Sequence, residues 1–177
     1  MPKAEATIEI TPIGYDELVA KYANSREIVL GTVNRMLRRM GQQLVPAVKS
    51  ETPKGASHRL RNTTVFQVLG HAEEMTMEIR QSAFSPDGFP YGIAVRTGTR
   101  PHFPPYLALV PWVRKVLGIT DEKQAPRVAF LVARKISQVG TVSNSYHLRA
   151  LEATMPELRS IINEESSALA DKLGGQP

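Results

Sequence analysis

The sequence predicts an α+β fold: a small antiparallel sheet, a three-strand meander plus a short N-terminal strand, packed with one long N-terminal helix and about three further helices. Three observations point there. Apolar residues recur at steps of three, four and seven from Leu18 to Leu44, the period of one helix face. Short runs between Val65 and Thr97 are rich in apolar and β-branched residues and are separated by Gly- and Pro-containing turns, as consecutive strands are. Beyond Pro105 the apolar spacing returns to that of helices. The 177 residues suffice for one domain with its own core and would crowd two, so a single domain over 1–177 is expected.

Residues Ala6 to Ile10 read as the N-terminal strand, bounded by Thr11, Pro12 and Gly14. The long helix follows. Asp16 suits its first turn, and Leu18, Tyr22, Val29, Val33, Met36, Met40 and Leu44 form one stripe. Unbroken from Asp16 to Val45 it would measure about 45 Å, long enough to reach toward a neighbour, and Pro46 should end or kink it. Residues 50–57, SETPKGAS, form a polar loop. Val65 to Leu69 and Met75 to Ile79 are two strands joined by a hairpin-length connection, and Ser85-Pro86-Asp87-Gly88 turns the chain into a third strand at Tyr91 to Thr97.

Gly98, between two threonines, stops that strand, and Pro101, Pro104 and Pro105 make a rigid loop that can be neither helix interior nor central strand. Pro111 suits the first turn of a short helix bearing Trp112, the expected core anchor on the sheet. Ala125-Pro126 opens a helix whose buried face is Val128, Leu131, Val132, Ile136 and Val139, stopped by Gly140. Thr154 and Pro156 begin an extended C-terminal helix with Leu158, Ile161, Ile162, Leu169 and Leu173 inward.

The chemistry the chain lacks narrows its function. It has no cysteine, hence no disulfide, thiolate nucleophile or cysteine metal site. His58, His71, His102 and His147 are scattered, without a second ligand at metal-binding spacing, and no nucleophile, phosphate-loop or dinucleotide motif is present. The expectation is a protein that is not an enzyme, with no catalytic residue, no metal and no cofactor. No apolar run is long enough to span a bilayer and MPKAEATIEI lacks a signal-peptide core, so no membrane partner is expected, and synthesis and assembly in the cytoplasm are.

The formal charge is +5, unevenly spread. Seven cations between Arg35 and Arg61 face one anion, Glu51, whereas from Ala150 onward five anions face Arg159 and Lys172. Arg35, Arg38, Arg39, Lys54, Arg59 and Arg61 are therefore candidate DNA-facing residues. One reading is a basic nucleic-acid-binding module acting through Arg35, Arg38, Arg39 and Lys54. The other is a set of solvated or complementary charges between neighbouring copies.

The stretch Tyr91 to Trp112, YGIAVRTGTRPHFPPYLALVPW, concentrates the cationic and aromatic residues of a contact surface. Its Thr97-Gly98-Thr99-Arg100-Pro101-His102 element, followed by Pro104-Pro105 and Trp112, resembles the tail-completion proteins of long-tailed phages, the minor tail protein Z type and its head-tail joining neck relatives. Pro53, Gly55, Leu60 and Arg61 before it, and Gly140, Thr141, Tyr146 and Leu148 after it, extend the resemblance over most of the chain. The sequence departs from the family pattern in three places: extra residues between Gly55 and Leu60, a Tyr at 146 where Phe is more usual, and Pro46. The resemblance implies a virion protein at the head-tail junction that forms a ring matched to the sixfold tail. It also implies tail-terminator and head-connector partners and a lumen through which DNA passes. Arg96, Thr97, Gly98, Thr99, Arg100, Pro101, His102, Phe103 and Pro104 are the candidate subunit-interface residues.

Overall fold

The computed structural model describes residues 8–10, 13, 25–55, 57–71, 74–84 and 88–174. In chain order the elements are β1 (Ile8–Ile10), α1 (Arg26–Glu51), α2 (Arg59–Asn62), β2 (Thr64–Leu69), β3 (Thr76–Gln81), α3 (Tyr91–Thr97), α4 (Tyr106–Val116), α5 (Gln124–Val139) and α6 (Tyr146–Gly174). The α+β class holds. Among the described residues the chain forms two compact units, one drawing on 52–63 and 82–146, the other on 8–51, 64–81 and 147–174.

The second of these units carries the sheet. Its order is β1-β3-β2, with both pairs antiparallel. Phe66 stands opposite Ile79 and Val68 opposite Met77, and Met77, Ile79 and Gln81 alternate inward along β3. Gln81 donates to the Thr64 hydroxyl across the strands at 2.9 Å, which satisfies two buried polar groups at once. On the other face of β3, Glu78 accepts from Arg80 at 2.9 Å and from Gln67 at 3.3 Å.

Helix α1 packs on β2 and β3 and buries Val29, Val33, Leu37, Met40, Leu44 and Val48, each fully buried aliphatic chain contributing about 1.5–3 kcal/mol. Gly41 is needed here for space, because the Phe66 ring occupies the place of a Cβ. The N-terminal part of the predicted helix, with Asp16, Leu18 and Tyr22, lies outside the described residues, as do Ser85 to Asp87 of the predicted turn. The helix does not stop at Pro46; it runs through to Glu51. Pro46 is exposed, and the carbonyl its missing N–H would bond belongs to exposed Gln42, so water takes the bond's place.

The same reasoning corrects two further helix boundaries. Pro111 lies inside α4, which already begins at Tyr106, and Pro156 lies inside α6, which begins at Tyr146 and not near Thr154. Both prolines are exposed, as are Leu107 and Glu152, whose carbonyls they leave unbonded. At 29 residues, α6 rather than α1 is the longest described helix, about 43 Å. Ion pairs run between α1 and α6: Arg35 and Arg39 meet Glu165 and Glu164 near one end, and Glu51 meets Arg149 at 2.9 Å near the other. This pattern sets the two helices antiparallel.

The other unit is helical. The predicted third strand of the meander is instead α3, seven residues from Tyr91 to Thr97. Ile93 donates to the Pro90 carbonyl at 3.1 Å, and Gly92 is buried with a Leu60 methyl where its Cβ would lie. Among the described residues, five helices beyond the long one replace the roughly three expected, counting the short α2.

Helices α4 and α5 form a hairpin around Val113, Ala125 and Ala129, all fully buried, with Tyr106, Leu109, Val110, Trp112, Ile119 and Val128 packed against them. Asp121 caps α5, its carboxylate accepting from the N–H groups of Lys123 at 3.0 Å and Gln124 at 2.6 Å. The buried face of α5 is Ala125, Ala129 and Ala133. Leu131 and Val139, predicted to be core, are each 59% exposed. Small side chains let α4 approach closely, while Phe130, Leu131 and Val139 are turned out. Trp112 is half-buried against this hairpin, where the sequence reading sets it on the sheet.

Candidate functional site

Two glycines shape the base of the proline loop. Helix α3 ends at Gly98, with φ 73° and ψ −179°, and α5 ends at Gly140, with φ 71° and ψ −157°; both conformations are open essentially to glycine alone. The two turns bring Thr99 and Thr141 side by side. Thr99 N–H donates to the Thr141 carbonyl at 3.1 Å, Thr141 N–H donates to the Thr99 carbonyl at 3.2 Å, and their hydroxyls lie 3.0 Å apart. A Cβ on Gly98 would overlap the Thr141 carbonyl oxygen, and one on Gly140 the Thr99 carbonyl oxygen. The Asn144 N–H, bonded to the Val95 carbonyl at 3.1 Å, continues the tie to α3.

Past this lock, Arg100, Pro101, His102 and Phe103 are exposed and Pro104 is half-buried. His102 Nδ1 donates to the Arg100 carbonyl at 2.9 Å, so the imidazole closes the loop on itself. Phe103 and Tyr106 both meet Phe130 edge to face, at centroid separations of 5.9 Å and 5.7 Å, the arrangement aromatic quadrupoles prefer. At the other end, the Thr97 hydroxyl donates back to the Ile93 carbonyl at 3.0 Å. Burial pushes the Tyr146 phenol above its ordinary value, and the Arg96 cation partly opposes that shift.

The nine predicted interface residues, Arg96 to Pro104, thus form one continuous segment held at its base and propped at its tip. The structure adds residues that sequence reasoning left out. Pro126, Arg127, Phe130 and Leu131 join Tyr106, already part of the predicted contact stretch, in lining an open groove of about 370 Å³. Phe103, Phe130, Leu107 and Leu131 keep 51%, 45%, 63% and 59% of their surface exposed. For Gly140 and Thr141 a signal existed, because their Gly-Thr pair repeats Gly98-Thr99. For Leu131 none did, since hydrophobicity ranks it as core.

The six candidate DNA-facing cations do not behave alike. Arg35 donates through Nε to Glu165 at 2.8 Å, Arg39 donates to Glu165 at 2.9 Å and Glu164 at 2.7 Å, and Arg38 donates to Asn34 at 2.7 Å. Arg38, Lys54, Arg59 and Arg61 are exposed without a side-chain ion pair among the described residues. The hydrogen bond from Arg35 holds the Glu165 carboxyl below its ordinary 4.5, against the upward push of burial, and Arg39 adds to the same effect; Glu164 is likewise lowered, chiefly by Arg39.

A carboxyl depressed in the folded chain contributes stability that is full above its unfolded value and is lost as pH falls through its folded one. The melting temperature should therefore drop as pH falls below about 4.5, and Glu165→Gln should remove part of that pH dependence. Identical melting-versus-pH slopes for the two proteins would show that this cluster does not couple folding to pH.

Among the described residues no three His, Asp or Glu side chains converge as metal ligands, and no helix is long and apolar enough to cross a membrane. The chain matches no family model, no curated protein and no solved structure.

Proposed function

We propose that the protein is a structural virion subunit that forms a ring at the head-proximal end of a long phage tail, completing the tail and joining it to the head connector. The observation that carries this reading is the Thr97-to-His102 segment, on which the family resemblance rests. It is an exposed loop whose shape is set before any partner arrives, by the Thr99–Thr141 hydrogen bonds at its base and the Phe103–Phe130 contact at its tip. A segment ordered in advance loses little entropy on docking. Its exposed Arg100 and Phe103, with Arg127 and Leu131 beside the groove, have the aromatic and arginine composition of assembly surfaces.

In this role the work is assembly without turnover. The partners are further copies of the chain in a ring matched to the sixfold tail, a tail-terminator protein and a head-connector protein, with DNA passing through the lumen. Deleting the gene from its phage is expected to leave packaged heads and finished tail tubes that do not join, with infectious titre falling by orders of magnitude. Electron microscopy of the lysate reads this directly. Joined, infectious particles at normal titre would sink the role.

A further inference from the structure

We propose that the groove on α4 and α5 receives α6 of a second copy of this chain, antiparallel to α5, with Leu148 of one copy across from Leu131 of the other. The inference rests on the ring reading and names the contact that would build it.

The first surface is unusual for an exposed helix. Arg127, Leu131, Arg134 and Gln138 follow one another on α5 at steps of four, three and four and are all exposed. Phe130 lies next to this row, and Arg127 and Leu131 line the groove. Neither Arg127 nor Arg134 has an ion pair among the described residues. The row is therefore a positively charged edge, centred on Leu131, that borders the apolar groove.

The second surface is its complement. While Leu158, Ile161, Glu165 and Leu169 are the buried face of α6, its outward side carries Leu148, Glu152, Met155, Arg159 and Ile162 at steps of four, three, four and three. Leu148 is 50% and Ile162 39% exposed. Leu148, Met155 and Ile162 are seven apart, the spacing of a seam that one helix lays along another. Glu152 has no ion pair among the described residues.

One register brings opposite charges together at two places along the contact. With Leu148 opposite Leu131 and the helices antiparallel, Glu152 falls beside Arg127. Arg159 then falls near Asp121 and Glu122, the two acids ahead of α5. Because groove and ridge are different surfaces, copies can join head to tail, the geometry that generates rings when the rotation closes.

The absence of cysteine makes the test clean. Full-length L131C and L148C, one of them carrying a mass tag, are oxidised separately and as an equal mixture. The expected result is about tenfold more mixed disulfide dimer in the mixture than of either homodimer, as specific docking dictates. R127E should lower that yield, and E152R on the other copy should restore it. Unchanged melting temperatures confirm that the exposed substitutions leave each subunit folded. L131C joining itself as readily as it joins L148C, or no enrichment of the mixed dimer, overturns the proposal. If rings containing this subunit are seen on particles while the pair fails to cross-link, this contact is wrong and the ring reading stands; if rings are also absent, both fall.

Discussion

Replacing Gly140 with alanine is expected to lower the stability of the protein by about 3 kcal/mol or more. Two costs combine. A side chain at φ 71° costs about 1–2 kcal/mol by backbone strain alone. The new methyl also overlaps the Thr99 carbonyl oxygen, so Thr99 and Thr141 must separate and two backbone hydrogen bonds worth about 1 kcal/mol each are lost. Gly98→Ala should behave alike, since its Cβ would meet the Thr141 carbonyl. Gly118 is the control: its φ is also 71°, but nothing stands within 4 Å of a Cβ there, so Gly118→Ala should cost only about 1 kcal/mol. Chemical denaturation of the three variants separates strain from displacement. Equal losses at Gly140 and Gly118 would mean the Thr99–Thr141 pair adds nothing to stability.

Tyr146→Ala is expected to cost about 3–5 kcal/mol, more than Trp112→Ala at about 1–3 kcal/mol. Tyr146 is the largest fully buried side chain among the described residues, at 1% exposure, whereas Trp112 is only half-buried at the edge of the α4–α5 cluster. Tyr146→Phe keeps the ring volume and should lose only about 1 kcal/mol, the scale of a hydrogen-bonding group removed from the interior. Thermal melting ranks all three. A Trp112→Ala loss equal to or above that of Tyr146→Ala would return the role of anchor to the tryptophan.

The elements that were legible in the sequence are those whose pattern has one reading. The stripe from Val29 to Leu44 can only be a helix, and Val65 to Leu69 with Met75 to Ile79 pairs as the hairpin expected, β3 reaching Gln81. Seven residues at Tyr91 to Thr97 fit either period, and packing decided between them: Gly92 had to lie against Leu60. Helix punctuation was nonetheless present there, with Pro90 just before the segment and a positive-φ Gly98 just after it.

Proline misled three times for one reason. Pro46, Pro111 and Pro156 each sit on a solvent-facing position of a helix, where the bond they remove is replaced by water, and solvent exposure cannot be read from a proline alone. Of the candidate site, Arg96 to Pro104 was visible because glycine and proline mark shaped backbone. Arg127, Phe130 and Leu131 were not, because burying alanine in place of leucine inverts the usual ranking of residues by size.

The Thr99–Thr141 pairing also means that the chain leaves and re-enters the rest of its unit at a single point, with all of α4 and α5 strung between. Such a segment is a cassette. It can be lengthened, shortened or exchanged for another helical hairpin provided that the glycine and threonine at each mouth are kept, since the two ends of the segment stay paired by the same backbone hydrogen bonds. Variation among descendants of this chain should therefore accumulate in the hairpin, and a hairpin transplanted between the two Gly-Thr pairs would carry a new docking surface onto an unaltered frame.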